Sequence, residues 1–197
     1  MRVERNTNQQ SFNCWLSVEE YEQLRRSTDS YRDELVIRFG GEVGLRSFEI
    51  PQITPEHVRR EVVDDEDYYF LRVPEGKDTT GSGGKPRDAY LPREVECDLH
   101  RYQRAENIAQ SDLVVDVTPR TVQRITRAAD RIGNDDFRKV SSHDLRRYFA
   151  HSCLVRERMN PRVVMEIGGW GNYQALEPYL NKLSTETIIA EFAHASM

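Results

Sequence analysis

Residues Ser141–Cys153 read "SSHDLRRYFAHSC". Taken as a helix beginning after Ser142, the stretch puts His143, Arg146 and Arg147 in or beside the first turn. The helix macrodipole already makes that end positive, so acidic residues are the usual choice there. His143 and Arg146 are three apart and point about 60° from each other, on one face. Two such groups beside free backbone N–H donors form a seat for an anion. The same residues also suit a plain surface helix with a neutral histidine near its cap, so the neighbouring segments decide.

Immediately upstream lies "TPRTVQRITRAADRIG" (118–133), with Thr118 as N-cap, Pro119 in the first helical position and Gly133 as stop. Arg120, Arg124, Arg127 and Arg131 fall at i, i+4, i+7 and i+11, on one continuous face. Val122, Ile125, Ala129 and Ile132 form the opposite, apolar face. Like charges at i,i+4 repel by a few tenths of a kcal/mol, about 0.2–0.5 per pair, which a polyanion would remove. Arginine's planar fork suits phosphate and guanine edges. Pairing with acids elsewhere in the chain is the competing use of such a stripe.

Further out, "LSVEEYEQLRR" opens with a Ser17/Glu20 capping box, and a second helix spans roughly Ser30 to Gly41. Arg46 and Glu49 sit in "GLRSFE" at the junction that follows. "EHVRREVV", "YYFLRV" and "RDAYLP" read as three strands, the last two flanking "PEGKDTTGSGGKP". That Gly-rich connection fails the P-loop pattern, because Lys85 is followed by Pro86. After Pro92 the pattern is helical to the end. The predicted class is mainly α with a small three-stranded antiparallel β-sheet.

With 197 residues, 38% hydrophobic and 31% charged, the chain is long enough for one domain with a real core. No apolar run approaches the ~20 residues of a membrane helix, and "MRVERNTNQQ" lacks a signal-peptide core, which points to the cytoplasm. Cys14, Cys97 and Cys153 are too scattered for a disulfide framework or a zinc site, and the five histidines are scattered too, so no metal site is expected. The net charge of −5 is unevenly spread: residues 118–182 carry +5 and the rest −10. The overall charge argues mildly against a nucleic-acid partner, while the basic part keeps one open.

"SHDLRRYFAHSCL" followed by "VVMEIGGWGNYQALEPYL" resembles the signature of the tyrosine recombinase family, which includes the phage integrases. That family carries His-x-x-Arg, then Gly-[His/Trp], then a tyrosine nine residues on; here these are His143, Arg146, Trp170 after Gly169, and Tyr179. "GLRSFE" resembles its first box, with Arg46 the arginine and Glu49 its companion. The Gly-rich connection resembles its lysine-bearing β-hairpin, with Lys77 the match and Lys85 the alternative. The tryptophan variant is similar to the Cre branch. The resemblance covers about Leu16 to Phe192 and implies the tyrosine recombinase catalytic-domain fold.

It also implies transesterification of a DNA phosphodiester without a cofactor, with Tyr179 as nucleophile, Arg46 and Arg146 on the non-bridging oxygens, and His143 assisting proton transfer. Trp170 would pack or hydrogen-bond at the phosphate, and Lys77 would protonate the leaving 5′-oxygen. Arg120, Gln123, Arg124, Arg127 and Arg131 would contact double-stranded DNA. The domains so implied are a lead-in at 1–15, the catalytic domain at 16–182, and a helical tail at 183–197 exchanged between protomers of a homo-oligomer, a tetramer on DNA. The family's separate N-terminal domain has no counterpart in the fifteen residues ahead of the resemblance, which leaves a catalytic fragment or a single-domain member. A virus or mobile element, acting on a nucleoid-associated target, is the implied setting. A DNA-binding relative without catalysis and a strand-swivelling topoisomerase are the alternative functions.

Overall fold

The computed structural model describes residues 1–6, 11–75, 86–127, 135–180 and 193. Helix α1 (Val18–Arg26) starts with the expected capping box: Ser17 Oγ accepts from the Glu20 N–H at 3.2 Å, and the Ser17 N–H donates to Glu20 Oε2 at 2.8 Å. Helix α2 (Tyr31–Gly41) starts at Ser30, whose Oγ accepts from the Asp33 N–H. Every residue of α2 from Leu35 to Gly41 is buried, so this helix is the axle of the molecule. Burying Leu35, Val36, Ile37 and Phe39 stabilises the fold by about 1.5–3 kcal/mol each. Gly40 lets helix α5 (Ser142–His151) lie close against the axle, since a Cβ there would stand 2.9 Å from Leu145 Cδ1.

The buried Arg38 of α2 donates to both Glu42 oxygens, at 3.0 and 2.8 Å, and pairs with Asp98 of α3 (Arg93–Glu106). Glu42 also accepts from the Tyr21 hydroxyl at 2.9 Å. A charge taken out of water needs such partners, and here they lock three helices together.

Three antiparallel strands, β3 (Val58–Val63), β4 (Glu66–Val73) and β5 (Arg87–Leu91), pair in that order. Val58 faces Leu71, and Leu71 faces Ala89. Leu71, Val73, Ala89 and Leu91 are buried, and Arg87 points to the same face. The acidic residues Asp64 and Asp65 make the β3–β4 turn, with φ values of 53° and 62°. Two left-handed residues in a two-residue turn match the strand twist, and aspartate tolerates that conformation. The α class with a small three-stranded sheet is thus the observed architecture.

Three details differ from the sequence expectation. The lead-in folds into a hairpin, β1 (Arg2–Asn6) with β2 (Ser11–Trp15), and its Cys14 is fully buried in the core. Burial pushes the Cys14 thiol up to about 12, so it serves as packing. The region after Pro92 is not continuously helical: 107–118 is irregular, ahead of α4 (Pro119–Arg127), and the "ALEPYL" region forms 3-10 turns after α6 (Pro161–Gly168). Lastly, α5 begins one residue early, with Ser141 as its cap, and passes into a π turn at Ser152–Arg156. Among the described residues no helix is long and apolar enough to cross a membrane.

Candidate active site

The first turn of α5 resolves the puzzle of its charges. Asp144 is fully buried there and accepts from the Ser141 N–H at 2.8 Å, the Ser141 hydroxyl at 2.6 Å and the Cys14 N–H at 2.8 Å. Its fourth partner is Arg147, which also donates to Asn13 Oδ1 at 2.9 Å. Arg147 is therefore a structural cation that ties α5 to the β1–β2 hairpin. His143 and Arg146 are left for other work.

Arg146 is 2% exposed and has no carboxylate partner among the described residues. Its two terminal nitrogens donate to backbone carbonyls, of Gly44 and, at 2.5 Å, of Gly168. The Trp170 ring covers it, with the guanidinium carbon 3.8 Å from the ring centroid. Burial, then the charges of Arg46 and Arg87, pull its pKa down to about 9.

Two more arginines converge on the same spot. Arg46 donates to Glu49 Oε1 at 2.6 Å and to the Gly169 carbonyl at 2.8 Å. Arg87 donates to both oxygens of Glu49, at 2.7 and 3.0 Å, and to the Ile167 carbonyl at 3.2 Å. The consecutive carbonyls 167, 168 and 169 at the end of α6 thus receive one arginine each, from three distant parts of the chain. A helix C-terminus offers unpaired carbonyls and the negative end of the dipole, so it suits cations. Burial works against ionisation of Glu49, but Arg87 and then Arg46 hold its pKa below the usual carboxylate value.

The sequence "GGW" is dictated by this packing. Gly169 ends α6 with φ of +68°, and a Cβ there would lie 2.6 Å from Arg87 Cδ. A Cβ on Gly168 would lie 1.9 Å from Trp170 Cζ3. Trp170 stacks on Phe149 at 6.4 Å and meets Tyr179 edge-on at 5.5 Å.

Tyr179 is 6% exposed, and its hydroxyl lies 3.4 Å from His143 Nε2. His143 is exposed to solvent. The protein packed around its ring, then the positive charges of Arg147, Arg146 and Arg46, push its pKa below the ordinary 6.5, against the pull of Asp144. A pKa below 6.5 makes the neutral imidazole the majority form at pH 7, able to accept a proton. The other tyrosines near the signature stand elsewhere: Tyr148 stacks on Tyr21 at 4.2 Å, and Tyr173 is exposed.

Of the residues picked from sequence, Arg46, His143, Arg146, Trp170 and Tyr179 come together. Lys77 and Lys85 lie outside the described residues, as do Arg131 and all of the tail except residue 193. On α4, Arg120, Gln123 and Arg124 are exposed, while Val122 and Ile125 are buried, as the helical pattern indicates. Thr118, Arg120, Thr121, Gln123 and Arg124 line a surface depression of about 340 Å³. The side chain of Arg127 lies outside the described part of α4. Sequence reasoning missed Arg87. Its signal was its place in "RDAYL", where an arginine alternates with the buried Ala89 and Leu91.

The family model described as the phage integrase family matches residues 15–186. No curated protein matches the chain by sequence. Among solved structures, XerA recombinase superposes with a TM-score of 0.68 at 20% identity, covering 92% of this chain and 65% of that one. XerH site-specific recombinase, in a post-cleavage complex with a palindromic difH substrate, gives 0.67 at 20%, covering 93% and 53%. The Tn1549 transposon integrase, in complex with transposon right end DNA, gives 0.63 at 15%, covering 94% and 67%. The chain spans about half to two thirds of the length of these structures. At such identities the likeness is one of fold.

Proposed function

The chain belongs to the phage integrase family, and from that premise we propose that it is a site-specific DNA recombinase that cuts and rejoins strands through a 3′-phosphotyrosyl intermediate. One observation carries the proposal: a phenol and an imidazole 3.4 Å apart stand beside a buried guanidinium that pairs with no carboxylate among the described residues.

Tyr179 Oη attacks the scissile phosphorus. The P–Oη bond forms, the P–O5′ bond breaks, and His143 Nε2 takes the phenolic proton. A free phenol titrates near ~10, so this base is what makes attack feasible at neutral pH. Negative charge gathers on the non-bridging oxygens of the transition state. Arg46 and Arg146 meet it with the N–H groups that their carbonyl partners leave over, since a guanidinium has five. Those carbonyls hold both forks in place before the phosphate arrives, which spares reorganisation at the moment of reaction. Trp170 excludes water from Arg146, and the indole N–H is a donor toward the phosphate. A hairpin lysine, Lys77 or else Lys85, gives the proton that the leaving 5′-oxygen needs. The phosphotyrosine keeps the energy of the broken bond, so a 5′-hydroxyl from another strand reverses the step without nucleotide hydrolysis.

The exposed face of α4, with Arg120, Gln123 and Arg124 and continuing in sequence to Arg127 and Arg131, supplies the DNA contacts. Exchange between two duplexes requires a cutting protomer at each of four strands, so the working form is a tetramer on DNA. The C-terminal tail, 183–197, is the segment for exchange between protomers.

The test is a nicked suicide duplex selected by the protein from a randomised pool. A covalent adduct that survives denaturation supports the recombinase. Binding without an adduct supports a silent accessory relative, and relaxation of supercoils without site preference supports a topoisomerase.

A further inference from the structure

Among the described residues the candidate site holds three guanidiniums but a single carboxylate, Glu49, which is fully buried. Arg46 reaches that carboxylate with one nitrogen, at 2.6 Å. Arg87 takes both of its oxygens, at 2.7 and 3.0 Å. The geometry of a two-toothed pair is the stronger one, and it lies in the drier place, since Arg87 is 8% exposed. Glu49 is thereby spent chiefly on Arg87. Without Arg87, the whole charge of Glu49 falls on Arg46, and the pair is neutral toward an incoming anion. With Arg87, the trio keeps one positive charge, and Arg146 adds another.

We infer that Arg87 is a positioning residue that keeps Arg46 cationic toward a phosphate by neutralising Glu49, while the carbonyl of Ile167 holds it in place. The inference rests on the reading of this cleft as a seat for a phosphoryl group. It separates two uses of Glu49. The Arg46 N–H donates to Glu49 Oε2 at 2.7 Å, so the carboxylate orients the turn that carries Arg46. Unshielded, that same carboxylate would also repel the phosphate. Arg87 removes the second effect and leaves the first. The absence of space for a Cβ at Gly169, 2.6 Å from Arg87 Cδ, fits a side chain held in one position.

The test uses orthovanadate, a mimic of the five-coordinate phosphorus, titrated against the full chain and followed by the fluorescence of Trp170 in a Trp15→Phe background. The variants are Arg87→Gln, Arg87→Lys, Glu49→Gln and the double Glu49→Gln/Arg87→Gln, each checked by thermal melting. Arg87→Gln should weaken vanadate binding at least about tenfold, a loss near 1.4 kcal/mol. Removing the carboxylate as well should restore affinity to within about threefold of the parent, and Arg87→Lys should retain it to the same extent. A structural role alone cannot give that rescue, because the double variant lacks both packing partners. If Arg87→Gln fails to fold, the double variant and Arg87→Lys are compared with the parent directly. A parent that does not bind vanadate, Arg87→Gln with unchanged affinity, or a folded double variant still tenfold weaker than the parent overturns the inference. A parent that binds vanadate yet forms no adduct with DNA overturns the recombinase reading and leaves the charge argument for Arg87 standing.

Discussion

The hydroxyl of Tyr179 faces Nε2 of His143 at 3.4 Å, within one chain. The two residues are 36 positions apart, and the tyrosine reaches the histidine because Leu176 and Tyr179 pack with Ala150, Leu154 and Val164 in a small second core. That core places the phenol hydroxyl at the first turn of α5, with Trp170 against its ring.

The first prediction follows from that arrangement. A protomer in this state carries the proposed nucleophile and its arginines together, so the proposed cleavage should run in cis. Mixing Tyr179→Phe with Arg146→Gln should therefore restore no adduct, since neither protomer is complete. Recovery of adduct in the mixture, read on a denaturing gel, would mean that the tyrosine is donated to a neighbour.

Acid should weaken both the fold and the reaction through His143. Its pKa in the fold lies below 6.5, so as pH falls through that value the unfolded chain takes up the proton first. The unfolded state then holds more protons, and stability declines as pH drops, being fully present above about 6.5. Adduct formation should fall in the same direction, because only the neutral imidazole accepts the phenolic proton. Melting temperature and single-turnover cleavage, both against pH, check this; in His143→Gln the part of the melting-temperature slope between pH 5 and 7 that is due to His143 should vanish.

Gly168→Ala tests the cover over Arg146. The new Cβ would meet Trp170 Cζ3 at 1.9 Å, so the indole has to swing off the guanidinium. Overpacking of this kind costs about 1–3 kcal/mol. A lower midpoint in urea, a shift in tryptophan emission and at least a tenfold slower adduct formation are expected. Full activity with native emission would show that the stack is dispensable.

Arg124→Ala should weaken DNA binding and make its salt dependence shallower by about one counterion. Binding is read by anisotropy across a range of salt concentrations, with Arg26→Ala as a control, an exposed arginine on α1 paired at 3.6 Å with Glu22. Unchanged affinity on the selected site would remove α4 from the DNA interface.

Much of the fold was legible in the sequence because its signals are local. The Ser17–Glu20 box, the serine caps and the alternation of "YYFLRV" each fix a short element from its own residues. The hairpin of residues 1–15 was not legible, since its reason is remote: Cys14 and Asn13 are held by Asp144 and Arg147 of α5. The same holds within the site. His143, Arg146, Trp170 and Tyr179 share a spacing pattern that can be read along the chain. Arg87 shares none, because what fixes it is the end of α6, some eighty residues later. The division of labour between Arg146 and Arg147, adjacent and chemically identical, is likewise settled only by the partners each one meets.

The central claim is that Tyr179 and the two arginines act on one phosphorus atom. Trapping the adduct on a nicked duplex, digesting both components and sequencing the modified peptide by mass spectrometry tests it most directly. The account predicts a nucleotide joined to Tyr179, with adduct lost in Tyr179→Phe and strongly reduced in both Arg46→Gln and Arg146→Gln. A nucleotide on Tyr173 or any other residue, or an adduct that persists in Tyr179→Phe, would contradict it.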